Sequence, residues 1–269
     1  MSELDTVRAR YAGKANDEWK RLEATPITRT EYLITSDCLR RYLPTTGAVL
    51  DAGSGPGRYA VDLVGQGYRV VMLDLVRAML QLGREKAREA GIHANLGLVE
   101  GDLARLPYAD DSFDAVISLG APLSHITDAW ARSRAVAEMA RIVRAGQVVL
   151  LTGCTRLAAY RGAVFWMDLA FFDQMASSEA RERGILDGSQ LWYMFAPGEL
   201  EALARTAGLD IVARVGCEGL ANYLPWQHLL QLEEDPKRWP VWRDMLLETC
   251  EEESILGLSS HLLVVARKP

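Results

Sequence analysis

Apolar residues recur along this chain in two periods. In short runs such as Ala48-Val49-Leu50, Val70-Val71-Met72-Leu73 and Ala115-Val116-Ile117 they are contiguous and often β-branched, the pattern of strands buried on both faces. Between the runs they fall three and four positions apart, the pattern of helices with one apolar face. The periods predict helices over residues 17–24 and 29–42, a strand over 48–51, a helix over 57–66, a strand over 68–73, and a helix over 76–90 that Gly91 stops. A third strand over 96–100 and a fourth over 113–118 follow. Residues 128–144 read as a helix closed by Ala145-Gly146, and 147–152 as a fifth strand. Pro197-Gly198-Glu199-Leu200 opens a helix that Gly208 ends, and strands over 210–217 and 260–267 bring the count to seven. Such alternation predicts an α/β fold with a parallel sheet covered on both faces.

The first strand runs into Asp51-Ala52-Gly53-Ser54-Gly55-Pro56-Gly57, a D-x-G-x-G-x-G turn before a helix. Glycines at alternate positions let the backbone turn sharply and bring amide N–H groups close to a ligand near a helix N-terminus. A dinucleotide fingerprint requires G-x-G-x-x-G, but Arg58 stands three beyond Gly55 and the third glycine arrives early, at Gly57. The second strand ends in Asp74, at about the offset of a ribose-binding acid, and the third in Gly101-Asp102-Leu103. A lone Asp at a strand end is more often a cap or turn residue. Three after consecutive strands point to a nucleoside ligand at one sheet edge.

These residues resemble motif I and the two following acidic positions of the class I S-adenosylmethionine (SAM)-dependent methyltransferases of the small-molecule type. The resemblance implies a Rossmann-like seven-stranded, mostly parallel sheet with an antiparallel last strand, helices on both faces and helical insertions forming a lid. It implies an N-terminal helical lid segment over 1–42 and a methyltransferase domain over 43–269, with insertions at about 153–196 and 218–257. It assigns cofactor contacts to Tyr11, Asp51, Gly53, Gly55, Gly57, Asp74, Leu75, Asp102, Leu103 and Leu119, with SAM as cofactor and S-adenosylhomocysteine as product. Asp74 would take both ribose hydroxyls, and Asp102 and the Leu103 backbone would face the adenine. His125, just after strand four where the family places residues beside the reactive methyl, is the candidate general base; capping or packing a helix is its other reading. Asp168, Asp173, Tyr193 and His228 are further base candidates, and Glu218 and Asn222 either contact substrate or end strand six.

Two departures from the family shape the expectation. Leu119-Gly120-Ala121-Pro122 replaces the acidic or polar residue and Pro-Pro-aromatic run of enzymes that methylate base exocyclic amines, which supports a small-molecule acceptor. Val76 stands where many members carry serine.

Composition narrows the partners. A net charge of -6 and a pI near 5.4 argue against a nucleic-acid polyanion. Arg132, Arg134, Arg141 and Arg144 share one predicted helix, where a solvated arginine face is the commoner reading. Neither the four cysteines nor the four histidines have metal-ligand spacing, so buried free thiols and no metal are expected. No run approaches the about 18 apolar residues of a membrane span, and the acidic start lacks a signal-peptide pattern; a cytoplasmic location is expected, with the oligomeric state unset.

The region before Leu43 and the stretches 153–196 and 218–257 exceed the minimal fold, and each carries aromatic residues, among them Trp19, Trp166, Trp192 and Trp226. A lid of the first two over the cofactor and simple packing onto the sheet are both open readings; the third stretch either crosses or covers the sheet. Three functions remain: a methyltransferase acting on an O, N or C nucleophile, a SAM-binding regulator or scaffold, and an NAD(P)-dependent oxidoreductase, which the early third glycine disfavours.

Overall fold

The computed structural model describes residues 3–186 and 192–269. The chain opens with three helices, α1 (Glu3–Tyr11), α2 (Ala15–Ala24) and α3 (Pro26–Tyr42). Helix α3 begins three residues earlier than periodicity indicates. Thr25 accepts from Thr28 N, the Thr28 hydroxyl accepts from Thr25 N, and Pro26 occupies the first helical position, where its missing N–H costs nothing. There follow β1 (Ala48–Ala52), α4 (Arg58–Gly65), β2 (Arg69–Asp74), α5 (Arg77–Glu89), β3 (Leu96–Glu100), β4 (Phe113–Ser118), α6 (Ala129–Ile142) and β5 (Val143–Cys154). The second insertion holds α7 (Arg156–Phe165), α8 (Leu169–Ala176) and the two-residue strands β6 (Ile185–Leu186) and β7 (Trp192–Tyr193). Next come α9 (Glu199–Thr206), β8 (Asp210–Gly216), α10 (Trp226–Glu233), α11 (Arg238–Thr249), α12 (Glu253–Leu256) and β9 (His261–Arg267).

Seven strands form one sheet in the order β3-β2-β1-β4-β5-β9-β8, and β9 runs antiparallel to both its neighbours. Val49 pairs with Val70 on one side and Ala115 on the other, which sets the C-terminal ends of β1, β2 and β4 along one edge. The order reverses between β1 and β4, the switch point where ligands settle in open α/β sheets.

One face of the sheet packs Val49, Ile117, Val215 and Val265 against Ile34, Leu39, Leu63, Leu229 and Leu246. The third insertion therefore covers the α3 side of the sheet rather than crossing it. The opposite face packs Leu50, Val116 and Val149 against Ala135, Met139 and Leu200. Met175, Ala180, Leu186 and Met194 make a separate small core inside the second insertion.

The sixth helix departs from expectation. It stops at Ile142, and Val143 already pairs with Phe113, after which the register jumps so that Ala115 faces Val148. Ala145-Gly146, read as the helix end, lies within this irregular start of β5; Gly146 takes φ 78° and donates to Lys268 O at 2.8 Å. The arginine run is only in part a solvated face, with Arg134 and Arg144 exposed and Arg141 half-buried. Arg132 is buried with its guanidinium carbon 3.3 Å from the Tyr193 ring centre, Arg134 and Arg141 pair with Glu138, and Arg144 lies beyond the helix and pairs with Asp114. Among the described residues no helix is long and apolar enough to cross a membrane.

Candidate active site

The turn between β1 and α4 is fixed from below. Gly53 N and Ser54 N both donate to Leu73 O, at 2.7 and 3.1 Å, so the end of β2 carries the turn. Gly53, Gly55 and Gly57 all take left-handed φ values of 77°, 53° and 77°. The three glycines serve different ends. A Cβ on Gly53 would lie 2.5 Å from Pro122, and one on Gly57 would lie 2.4 Å from the Met72 methyl, whereas one on Gly55 meets nothing within 4 Å. Gly53 and Gly57 therefore permit close packing, while Gly55 borders open space.

Asp74 clamps this turn. Its carboxylate accepts from Gly55 N at 2.7 Å and Val76 N at 2.8 Å. Burial raises its pKa, and these backbone N–H groups partly offset the rise. Each oxygen keeps lone-pair capacity for a ligand beyond the backbone bond it accepts.

Above the turn a cleft of about 1060 Å³, measured out to its mouth, crosses the C-terminal ends of β1, β2, β3 and β4. Asp74, Leu75, Val76 and Met79 line one side, Asp102 and Leu103 the next, and Leu119, His125 and Ile126 the far wall. Tyr11 from α1 and Glu18, Arg21 and Leu22 from α2 close over it. Asp102 also holds its own turn by accepting from Ala104 N at 2.9 Å.

Arg21 roots a buried polar cluster. Its guanidinium donates to both Glu31 oxygens, at 2.7 and 3.0 Å. His261 Nδ1 lies 2.6 Å from Glu218 Oε1 and 3.9 Å from Glu31 Oε2. Burial opposes charge on His261, but Glu31 and Glu218 outweigh it and lift its pKa well above the usual value, so this is an imidazolium between two carboxylates. Glu31, Glu218 and His261 lie close enough to share a cation. Arg21 and the imidazolium proton already neutralise them.

The far wall is built by a strained loop. Gly120 and the non-glycine Ala121 both take left-handed φ, 75° and 60°, and Pro122 starts a short 3₁₀ turn ending at His125. Thr152 Oγ1 accepts from Ala121 N at 2.8 Å, and Ser124 Oγ accepts from Cys154 N at 2.9 Å, anchoring the turn to β5. His125 Nε2 is 2.9 Å from Tyr11 Oη, and its ring stands edge-on to Tyr11 and Trp192. Burial, reinforced by Arg10, lowers His125 to about 4; burial pushes Tyr11 up to about 12. Both are neutral near pH 7.

Nine of the residues the sequence marks, Tyr11, Gly53, Gly55, Asp74, Leu75, Asp102, Leu103, Leu119 and His125, line the cleft. Asp51 and Gly57 do not. Asp51 is buried beneath the turn, where burial and the Asp74 charge push it to about 8, leaving it protonated at neutral pH; Gly57 packs on Met72. Other candidates have structural partners: Asp168 caps α8, Tyr193 bonds Glu199, Glu218 bonds His261, and Asn222 donates to Leu258 O. Asp173 and His228 are exposed. Arg21, Glu18 and Met79 escaped the sequence reading, because an amphipathic helix does not reveal which polar residue will meet a distant loop.

Residues 49–146 match the family model for a methyltransferase domain. Over that span the chain carries a methyltransferase domain similar to those of the class I SAM-dependent enzymes. A ubiquinone/menaquinone biosynthesis C-methyltransferase from Haemophilus ducreyi is 35% identical over 107 residues, covering 38% of this chain and 39% of the relative. The chain thus spans about two fifths of the curated relatives it matches. Solved structures share the fold over more of the chain. Geranyl diphosphate C-methyltransferase from Streptomyces coelicolor, solved with Mg²⁺, geranyl diphosphate and S-adenosylhomocysteine, aligns with TM-score 0.58 and 17% identity over 96% of this chain and 84% of that one. The [4+2]-cyclase SpnF aligns with TM-score 0.57 and 16% identity over 89% and 80%.

Proposed function

We propose that the protein transfers a methyl group from SAM to a small-molecule acceptor through an O, N or C nucleophile. The observation that carries this reading is Asp74, a half-buried carboxylate held by the Gly55 and Val76 amides at the cleft wall. Its remaining lone pairs suit the two hydroxyls of a ribose. Val76, Met79 and Leu103 offer apolar surface for a base, with Asp102 beside them for an exocyclic amine. At the other end, Glu18 and Arg21 match the opposite charges of an amino-acid tail. Gly55, open where a Cβ would project, leaves room for close backbone approach.

When bound there, SAM supplies an electrophilic methyl on a sulfonium, open to in-line displacement. The protein's part is then mostly alignment and exclusion of water, effects that reach about 10⁵ to 10⁸ M in effective molarity for well-held pairs. Tyr11 and His125 close the cleft near its far wall. His125, neutral at working pH, faces the acceptor through Nδ1, as a weak base or as a donor according to its tautomer. The family match ends at residue 146, so α7, α8 and α10 to α12 lie outside it; the acceptors of the relatives do not carry over.

Incubation with methyl-labelled SAM and a panel of small acids, phenols, amines and enolisable carbonyl compounds tests the reading. Label in at least one acceptor supports it. Tight SAM binding with no transfer to any acceptor favours a SAM-binding protein of another activity, a reading that the fold shared with a cyclase supports.

A further inference from the structure

Among the described residues, three polar atoms beside the far wall lack a hydrogen-bond partner although they are buried: Arg10 Nη1, His125 Nδ1 and Trp192 Nε1. They belong to α1, the turn after β4 and the second insertion, and the fold brings them together. The Arg10 guanidinium carbon lies 4.9 Å from the Trp192 ring centre and 5.4 Å from that of Tyr11, and the His125 and Trp192 ring centres are 5.7 Å apart. Buried polar groups are nearly always hydrogen-bonded, so three orphans in one place point to a ligand that satisfies them.

The chemistry of the three atoms is one-sided. The Arg10 and Trp192 nitrogens can only donate. His125 joins them when Tyr11 donates to Nε2, because the neutral imidazole then carries its proton on Nδ1. One cation and two neutral N–H donors, walled by the rings of Tyr11 and Trp192, match a single negative charge on an apolar body.

We infer that Arg10, Trp192 and His125 form the acceptor subsite of this enzyme and that the acceptor is an organic acid whose carboxylate they bind. The inference rests on the methyltransferase reading and specifies its substrate class. Arg10 and Trp192 are recognition residues here, and His125 acts as a donor rather than as a base. Glu18 and Arg21, on the other side of Tyr11, are left to the cofactor's tail.

Indole ¹H–¹⁵N spectra of the full chain saturated with S-adenosylhomocysteine provide the test, with the Trp192 resonance assigned by its loss in Trp192→Phe. The probes are acetate, phenylacetate and 3-phenylpropanoate, each paired with its neutral amide. The Trp192 signal is expected to move downfield with at least one acid and with none of the amides. Arg10→Met is expected to weaken that acid about 10-fold or more while S-adenosylhomocysteine affinity stays within about threefold. Equal response to acids and amides, no response to any acid, or unchanged acid affinity in Arg10→Met would overturn the inference while leaving the methyltransferase reading intact. Loss of S-adenosylhomocysteine binding in Arg10→Met would reassign Arg10 to the cofactor's carboxylate and also overturn it. Failure of the unaltered protein to bind S-adenosylhomocysteine would bring down both.

Discussion

Asp74→Ala separates ligand recognition from fold more cleanly than any other substitution in the cleft. The carboxylate makes two backbone bonds, to Gly55 N and Val76 N, and burial raises its pKa. Removing it forfeits those bonds but relieves the burial of a charge, and the freed N–H groups border the cleft, where water reaches them. The net loss of stability is therefore within about 2 kcal/mol, or less than about 8 °C in Tm for a chain of this size. Binding responds differently. Two hydrogen bonds from ribose hydroxyls to a charged acceptor contribute about 1.5–3 kcal/mol each, so affinity for S-adenosylhomocysteine falls about 10²- to 10⁴-fold. Asp74→Asn keeps one acceptor oxygen and falls between. Isothermal titration gives the affinities, and thermal melting followed by circular dichroism shows whether the variant is folded. A folded Asp74→Ala protein whose affinity stays within about threefold of the original would refute the ribose role.

Acid weakens the fold through His125: native near 4 and close to 6.5 when unfolded, it refuses a proton that the unfolded chain accepts. Stability should fall by about 3 kcal/mol as pH drops from about 6.5 to about 4, and His125→Asn should flatten that slope in urea titrations. Asp51 acts in the opposite sense. Held near 8, it keeps a proton that the unfolded chain releases, so it costs stability as pH rises from about 4 to about 8. Asp51→Asn should raise Tm at pH 8 and leave it unchanged at pH 4; an equal change at both would contradict this. Gly57→Ala should destabilise by on the order of 2–4 kcal/mol, since its Cβ would overlap Met72 at a left-handed φ. Gly55→Ala should cost only about 1 kcal/mol of stability yet reduce S-adenosylhomocysteine affinity more than about tenfold, because its methyl projects into the cleft. Equal thermal losses in the two glycine variants would speak against that division.

The sheet and much of the cleft lining are legible in the sequence because their signals are local. Apolar runs mark β1, β2, β4 and β5, and the glycines and the carboxylates of Asp74 and Asp102 follow strand ends directly. Long-range contacts left no such trace. Tyr11 and His125 are 114 positions apart, and their contact depends on how α1 lies over the sheet edge. Arg132 has the spacing of a solvated helix residue, and only the Tyr193 ring laid against it shows that it is buried. The end of α6 departs from its sequence signal for a related reason. Gly146 is an ordinary helix terminator by sequence, but pairing of Val143 with Phe113 draws the chain into the sheet before that glycine is reached. The motif groups Asp51 with its neighbours, whereas the fold buries it and leaves it out of the cleft lining.

A crystal structure of the protein grown with S-adenosylhomocysteine tests the central claim most directly. The account predicts both ribose hydroxyls on the Asp74 carboxylate, the adenine beside Asp102 and Leu103, and the sulfur turned toward Tyr11 and His125. Density for the ligand at any other site, or a ribose bound without Asp74, would contradict it.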